Sequence, residues 1–156
     1  MKLSLIIAGA ILLFAGCATA PTPAPPLPTA RTYPRPFDQV WNIIVAEVSA
    51  DYPVQAVDKA SGLMETRDAP IIDGSNPAKT LKKYGYDPKI FLEAWTVTRC
   101  NLTFYAFSPD PSNTVVRVTA RIEGFENDVT HNWQPWTSNG VLENQYLDRF
   151  SSALAH

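Results

Sequence analysis

Two alternating runs joined by one proline-studded turn constrain this chain more than anything else in it. From Ala94 to Phe107, Cys100, Leu102, Phe104 and Ala106 fall on one side, and Trp95, Val97, Arg99, Asn101, Thr103 and Tyr105 on the other. After Ser108-Pro109-Asp110-Pro111-Ser112-Asn113 the pattern resumes from Thr114 to Phe125. There Val116, Val118, Ala120 and Ile122 share the apolar side, and Arg117, Thr119, Arg121 and Glu123 the polar one. Successive side chains of a strand point to opposite faces, so this spacing predicts two antiparallel strands with one dry and one wet face.

A dry face must be covered, and two helical stripes are available to cover it. Phe37, Val40, Trp41, Ile44, Val45, Val48 and Tyr52 recur at helical spacing, with Asp38 at the positive end and Pro53 just past the stop. Near the other terminus Ser138-Asn139-Gly140 leads into Leu142, Tyr146, Phe150, Ala153 and Leu154, with Glu143 early and Arg149 late. Between them, Val54–Asp58 and Leu63–Arg67 flank a turn in which Gly62 supplies positive φ or a bulge, which predicts a hairpin. The expected fold class is α+β: a two-layer sandwich, its antiparallel sheet packed on an N-terminal and a C-terminal helix.

Two stretches break this regularity, and both hold candidate binding residues. Residues 69–91 form a long excursion with at most a turn of helix around Ala78–Lys83, and long excursions in compact domains are often functional. Its Lys79, Lys82, Lys83 and Lys89, with Tyr84 and Tyr86, suit an acidic protein surface or anionic head groups; a solvated loop is the plainer alternative. The second stretch carries Trp133 and Trp136 beside His131 and Pro135. Tryptophan is enriched at binding hot spots, although both indoles also suit a cap on the core under the last helix.

The N-terminus decides the compartment. Leu3 to Ala15 is apolar or small apart from Ser4, with Lys2 ahead of it. A run this short does not span a hydrocarbon core needing about 20 residues, and its layout is that of an export signal. Leu13-Phe14-Ala15-Gly16-Cys17 resembles the lipobox of bacterial lipoproteins, with Phe14 where an aliphatic is commoner. The resemblance implies that Cys17 is acylated and begins the mature chain. Ala18, not an aspartate, implies by the same resemblance onward transport to the outer membrane. An ordinary secreted protein with an incidental Cys17 is the alternative. The expected organisation is a signal peptide over residues 1–16, a lipidated cysteine and Pro-rich tether over 17–36, and one α+β domain over 37–156. As extended polyproline II the tether reaches on the order of 50–60 Å.

Composition excludes more than it selects. The formal net charge is −2, so no basic field exists to hold nucleic acid. With Cys17 consumed by lipid, Cys100 has no intramolecular partner and reads as a small core hydrophobe. His131 and His156 are the only histidines, and the chain carries no hydrolase, zinc-protease or phosphate-loop signature. Glu126, Asp128 and His131 are close enough in sequence to suggest a metal but read more simply as a polar connection. Glu123 and Glu126 are the nearest carboxylate pair that a peptidoglycan-acting hydrolase would need. No catalytic residue, metal or cofactor is expected.

Phe37-Asp38-Gln39-Val40-Trp41, Pro53-Val54 through Val57-Asp58-Lys59, Ser61-Gly62-Leu63 and Ser138-Asn139-Gly140 leading into Leu142-Glu143 carry a wider resemblance. Over Tyr33 to Leu154 the chain resembles the helix-grip domains of envelope lipoproteins related to the C component of the outer-membrane β-barrel assembly machinery. That component has two such domains where this chain has one, and residues 69–91 match nothing in it. The resemblance implies a sheet wrapped on a helix that binds or scaffolds an envelope protein complex without catalysing a reaction. A carrier of lipid or a small apolar ligand, held in a cavity beneath the long helix, is the competing expectation.

Overall fold

The computed structural model describes residues 24–88 and 94–156. Cys17 and Lys89 lie outside the described residues. In chain order the elements are β1 (Ala30–Tyr33), α1 (Phe37–Asp51), β2 (Val54–Asp58), β3 (Leu63–Thr66), β4 (Ala69–Pro70), α2 (Pro77–Tyr84), β5 (Gly85–Tyr86), β6 (Trp95–Asp110), β7 (Asn113–Glu126), β8 (Asn132–Ser138) and α3 (Val141–Ala153). This is a mixed α+β fold: an open antiparallel sheet of eight strands and three helices among the described residues.

The β6–β7 hairpin is the spine of the sheet, which runs β2-β3-β6-β7-β8-β5. The expected alternation holds along it: Cys100, Leu102, Phe104, Val116, Val118 and Ile122 are buried and join the buried side chains of all three helices in one core. Phe104 meets Tyr146 and Phe150 edge-on, with ring centroids 5.6 and 5.9 Å away. Burying a side chain of this size contributes roughly 1.5–3 kcal/mol, so these positions dominate the stability of the hairpin.

Trp95 departs from the expected wet face. Pairing steps from Trp95↔Glu126 to Val97↔Phe125, and the extra residue of this bulge turns Trp95 into the core. There it lies against Trp136 at 5.3 Å. Gly124 leaves room for it: a Cβ there would stand 2.6 Å from Leu81 Cδ1 and 2.7 Å from Trp95 Cε3. Gly62 is needed for a different reason. Its φ is +70°, and a Cβ would meet the Ala106 carbonyl oxygen at 1.9 Å.

Each long strand has two short neighbours on its outer side, and a side chain bridges each interruption. On β6, β3 pairs with Thr103–Tyr105 and β4 with Arg99–Cys100. Between them the Leu102 N–H donates to Thr66 Oγ1 at 2.9 Å. On β7, β1 pairs with Thr114–Arg117 and β8 with Ile122–Glu126. Between them the Ala120 N–H donates to Glu143 Oε1 at 3.2 Å, while Ser138 Oγ donates to Glu143 Oε2 at 2.8 Å. Buried backbone donors need partners, and a side chain supplies one wherever a strand ends early.

The N-terminal segment is not a free tether throughout. Its prolines stop at Pro28 and resume at Pro34, and the intervening Ala30–Tyr33 pairs with β7. Tyr33 is buried and donates from its hydroxyl to the Leu147 carbonyl at 2.7 Å. Upstream, the Leu27 N–H donates to the Asn139 carbonyl (2.9 Å), and Asn144 Nδ2 to the Pro28 carbonyl (2.7 Å).

Candidate functional site

The outer face of the hairpin leaves several large side chains accessible. At its turn end Tyr105 (43 % exposed) and Phe107 (41 %) lie two residues apart with centroids 5.8 Å apart, opposite Arg117 and Val115. At the other end the Arg99 guanidinium stacks 3.9 Å over the Trp133 ring, which meets Phe125 edge-on at 5.5 Å. Arg99 Nε donates to Glu123 Oε2 at 2.7 Å, and Arg121 pairs with Glu123 (3.2 Å) and with Asp68. Partly exposed pairs of this kind contribute only about 0–1 kcal/mol each. Their consequence is a surface with paired charges beside four part-exposed rings.

The helices frame a second feature, a groove of about 410 Å³ lined by Asp51, Tyr52, Ile71, Tyr84, Tyr146 and Arg149 among others. Tyr146 donates to Asp51 Oδ2 at 2.8 Å, and Arg149 pairs with Asp51 and, at 2.7 Å, with Glu47. Burial opposes ionisation of Asp51, but the bonds from Arg149 and Tyr146 outweigh it and hold the carboxyl below its usual range. Burial, the Cys100 thiol beside it and Asp51 push the Tyr52 hydroxyl upward; burial and the bond to Asp51 do the same to Tyr146. Cys100 donates to the Tyr52 hydroxyl at 3.5 Å, and burial raises its thiol to about 11. A thiol so protonated is a poor nucleophile, and the groove's charges are already matched to one another.

Of the lysines expected to form a cluster, Lys79, Lys82 and Lys83 lie on a helix, not a loop. Asn76 caps α2 by accepting from the Lys79 N–H at 2.9 Å, with Pro77 at the first helical position. Lys79, Lys82 and Lys83 are exposed on it, and Lys83 pairs with Asp73 at 3.3 Å. Tyr84 and Trp136, read from sequence as contact residues, are corrections: each is 3 % exposed and packs in the core. Tyr84 lies on the buried side of α2 with Leu81, and Trp136 faces inward opposite Ile122. Tyr86 is half-buried, and its hydroxyl donates to the Ala24 carbonyl. Trp133 remains on the outer face.

Glu123 and Glu126 do not form a pair. Three residues apart on one strand, they point to opposite faces: Glu123 outward to the arginines, Glu126 inward. Glu126 accepts from the N–H groups of Asp128 (2.6 Å), Val129 (3.0 Å) and Thr130 (2.6 Å). The Thr130 N–H leads these bonds, which outweigh desolvation and bring its carboxyl down to about 2. Both oxygens are therefore engaged in the loop, not held open toward Asp128 and His131. Among the described residues no three His, Cys, Asp or Glu side chains group to hold a metal ion, and no helix is long and apolar enough to cross a membrane.

No protein-family model matches the chain, and no curated protein matches its sequence. Trp133 was a candidate from the sequence; its outer-face neighbours Arg99, Arg121 and Phe125 were not singled out by sequence reasoning. Their signal is cross-strand register, since Arg99↔Glu123 and Phe125↔Trp133 are direct neighbours.

Proposed function

We propose that this protein is a lipid-anchored, non-enzymatic docking module of the bacterial cell envelope, fixed by Cys17 to the outer membrane. It presents the outer face of its β6–β7 hairpin to an envelope protein complex. The observation that carries this reading is that face itself: Val97 (46 % exposed) lies at the end that holds the Arg99–Trp133 stack and paired carboxylates, and Tyr105 and Phe107 are part-exposed at the turn end. Exposed apolar groups rimmed by charge mark interaction surfaces. The architecture is read here as helix-grip-like and two-layered, with the core side given to the helices and the other left for a partner.

The reading is tested by placing a photoreactive residue at Tyr105 or Phe107, and at exposed Asp38 as a control, then irradiating intact cells. Discrete adducts are expected from positions 105 and 107, none from 38, and their loss in Cys17→Ala. Equal labelling at all three positions would remove the outer face from the proposal.

A carrier role has one observation in its favour, the groove beside Tyr52 and Tyr146, whose volume falls within the roughly 300–1,000 Å³ of small-ligand sites. The inner sheet face offers it no room, being filled by Trp41, Ile44 and Phe150. Native mass spectrometry of protein purified from membranes separates the two: a stoichiometric small ligand supports the carrier, and a bare mass supports the docking module.

A further inference from the structure

We infer that the α2 face of the domain lies against the anionic surface of the bilayer. This inference rests on the proposed acylation of Cys17 and concerns how the domain is then oriented. It starts from where the arm leaves the fold. The first described residue, Ala24, is held by the Tyr86 hydroxyl two residues beyond α2. Asn139, whose carbonyl takes the Leu27 N–H, donates in turn to the Tyr84 carbonyl (3.1 Å) and through Nδ2 to the Lys83 carbonyl (2.9 Å). The arm therefore exits against the last turn of α2.

Only residues 18–23 separate that exit from Cys17. Seven peptide steps span at most about 25 Å even fully extended. A domain of this size has a radius of gyration of roughly 14 Å and is wider than that leash. It cannot turn the arm's exit away from the bilayer without running out of chain, so α2 stays on the near side.

The surface around the exit suits anionic head groups. Lys79, Lys82 and Lys83, at i, i+3 and i+4, share one stretch of the helix surface and are exposed. Asp73 accepts from Thr80 Oγ1 at 2.8 Å and from Lys83, which pins the preceding residue beside the same helix. That residue is Ile72, 89 % exposed, the most exposed large apolar side chain among the described residues. Lysines beside one apolar side chain are what an anionic interface holds: the amines meet phosphates, and the side chain enters the head-group layer.

The test uses the full-length acylated protein in phosphatidylcholine vesicles with and without phosphatidylglycerol. A fluorophore is attached at Ile72→Cys, or at Ser112→Cys in the far hairpin turn, Cys100 being buried and unreactive. A lipid-borne quencher should darken position 72 several-fold more than position 112. The contrast should grow with phosphatidylglycerol, fall with salt, and in the Lys79→Gln/Lys82→Gln/Lys83→Gln variant lose its phosphatidylglycerol-dependent part, falling to the level set by phosphatidylcholine alone. The salt series carries the same reading on the wild-type sequence should the triple variant fold poorly. Equal quenching at both positions overturns the orientation, and quenching indifferent to phosphatidylglycerol and salt overturns the role of the lysines. Intact mass of the same sample separates these failures from that of the anchor: an unmodified Cys17 removes the leash and the orientation together.

Discussion

Phe104 and Tyr105 are consecutive in one strand and live in different solvents. Phe104 has no exposure and is clamped edge-on by Tyr146 and Phe150, while Tyr105 touches Phe107 and leaves much of its ring in water. The same contrast runs the length of the hairpin, with buried aliphatics on one face and arginines, carboxylates and rings on the other. One face is used up in folding; the other keeps rings and charges at the surface, and it is the face proposed above for docking. The division is not one of polarity alone. Glu143, Thr66 and Glu126 are polar and buried on the helix side, each because it satisfies backbone N–H groups that the sheet leaves open.

The hardest test of that contrast is Phe104→Ala, which should lower stability by about 3–5 kcal/mol in chemical denaturation, as expected for a large buried aromatic left as a cavity. Glu143→Ala comes next. It strands the buried Ala120 N–H and frees Ser138, and should cost about 2–3 kcal/mol by the same measurement. Thr66→Val leaves only the Leu102 N–H unpaired and should cost less, about 1–2 kcal/mol. If Thr66→Val proves the costlier change, the two interruptions are not equivalent in the way their hydrogen bonds suggest.

Glu126 sharpens the comparison through pH. Its folded pKa, about 2, lies below the ordinary 4.5, so the unfolded chain binds the proton more readily. Its contribution is fully present above about 4.5 and is lost as pH falls through 2. Melting curves of Glu126→Gln should therefore lie below wild type at pH 7, and the two should converge across that window. A gap that stays constant down to pH 2 would mean that the carboxylate charge does not hold the loop. The smallest effect is expected on the outer face, where Phe107→Ser should change stability by no more than about 0.5 kcal/mol while abolishing crosslinking from position 105. A cost approaching that of Phe104→Ala would show that the outer face is also used up in folding.

The elements legible in the sequence were those whose period survives folding. The hairpin, the stripe of Val40, Trp41, Ile44 and Val48, the stripe of Leu142, Tyr146 and Phe150, and the positive φ at Gly62 all appear where spacing puts them. Strand β8 was hidden because Pro135 interrupts its pattern. Pro135 is tolerated there because β5 meets only the far end of that strand, at Thr137 and Ser138, so its missing N–H breaks no ladder. The helix α2 was half visible: Asn76-Pro77 is a start signal, but eight residues carry too little periodicity to stand out. Of the candidate contact residues, alternation and spacing did not separate Trp133 from Trp136 or the α2 lysines from Tyr84, because which side of a short element is covered depends on its neighbours.

Sequence alone determined which residues alternate in the hairpin, where the two long helices run, and that an apolar run ends at Cys17, since each is a property of local spacing and composition. Tertiary structure decided the rest. It put a bulge under Trp95, stacked Arg99 on Trp133, engaged Glu126 and Glu143 with orphaned backbone donors, and bound the proline-bounded Ala30–Tyr33 to β7. The physical reason is common to all four: each is a contact between segments distant in the chain, or the repair of a backbone group left open by strand ends, and no local period encodes where a strand will stop.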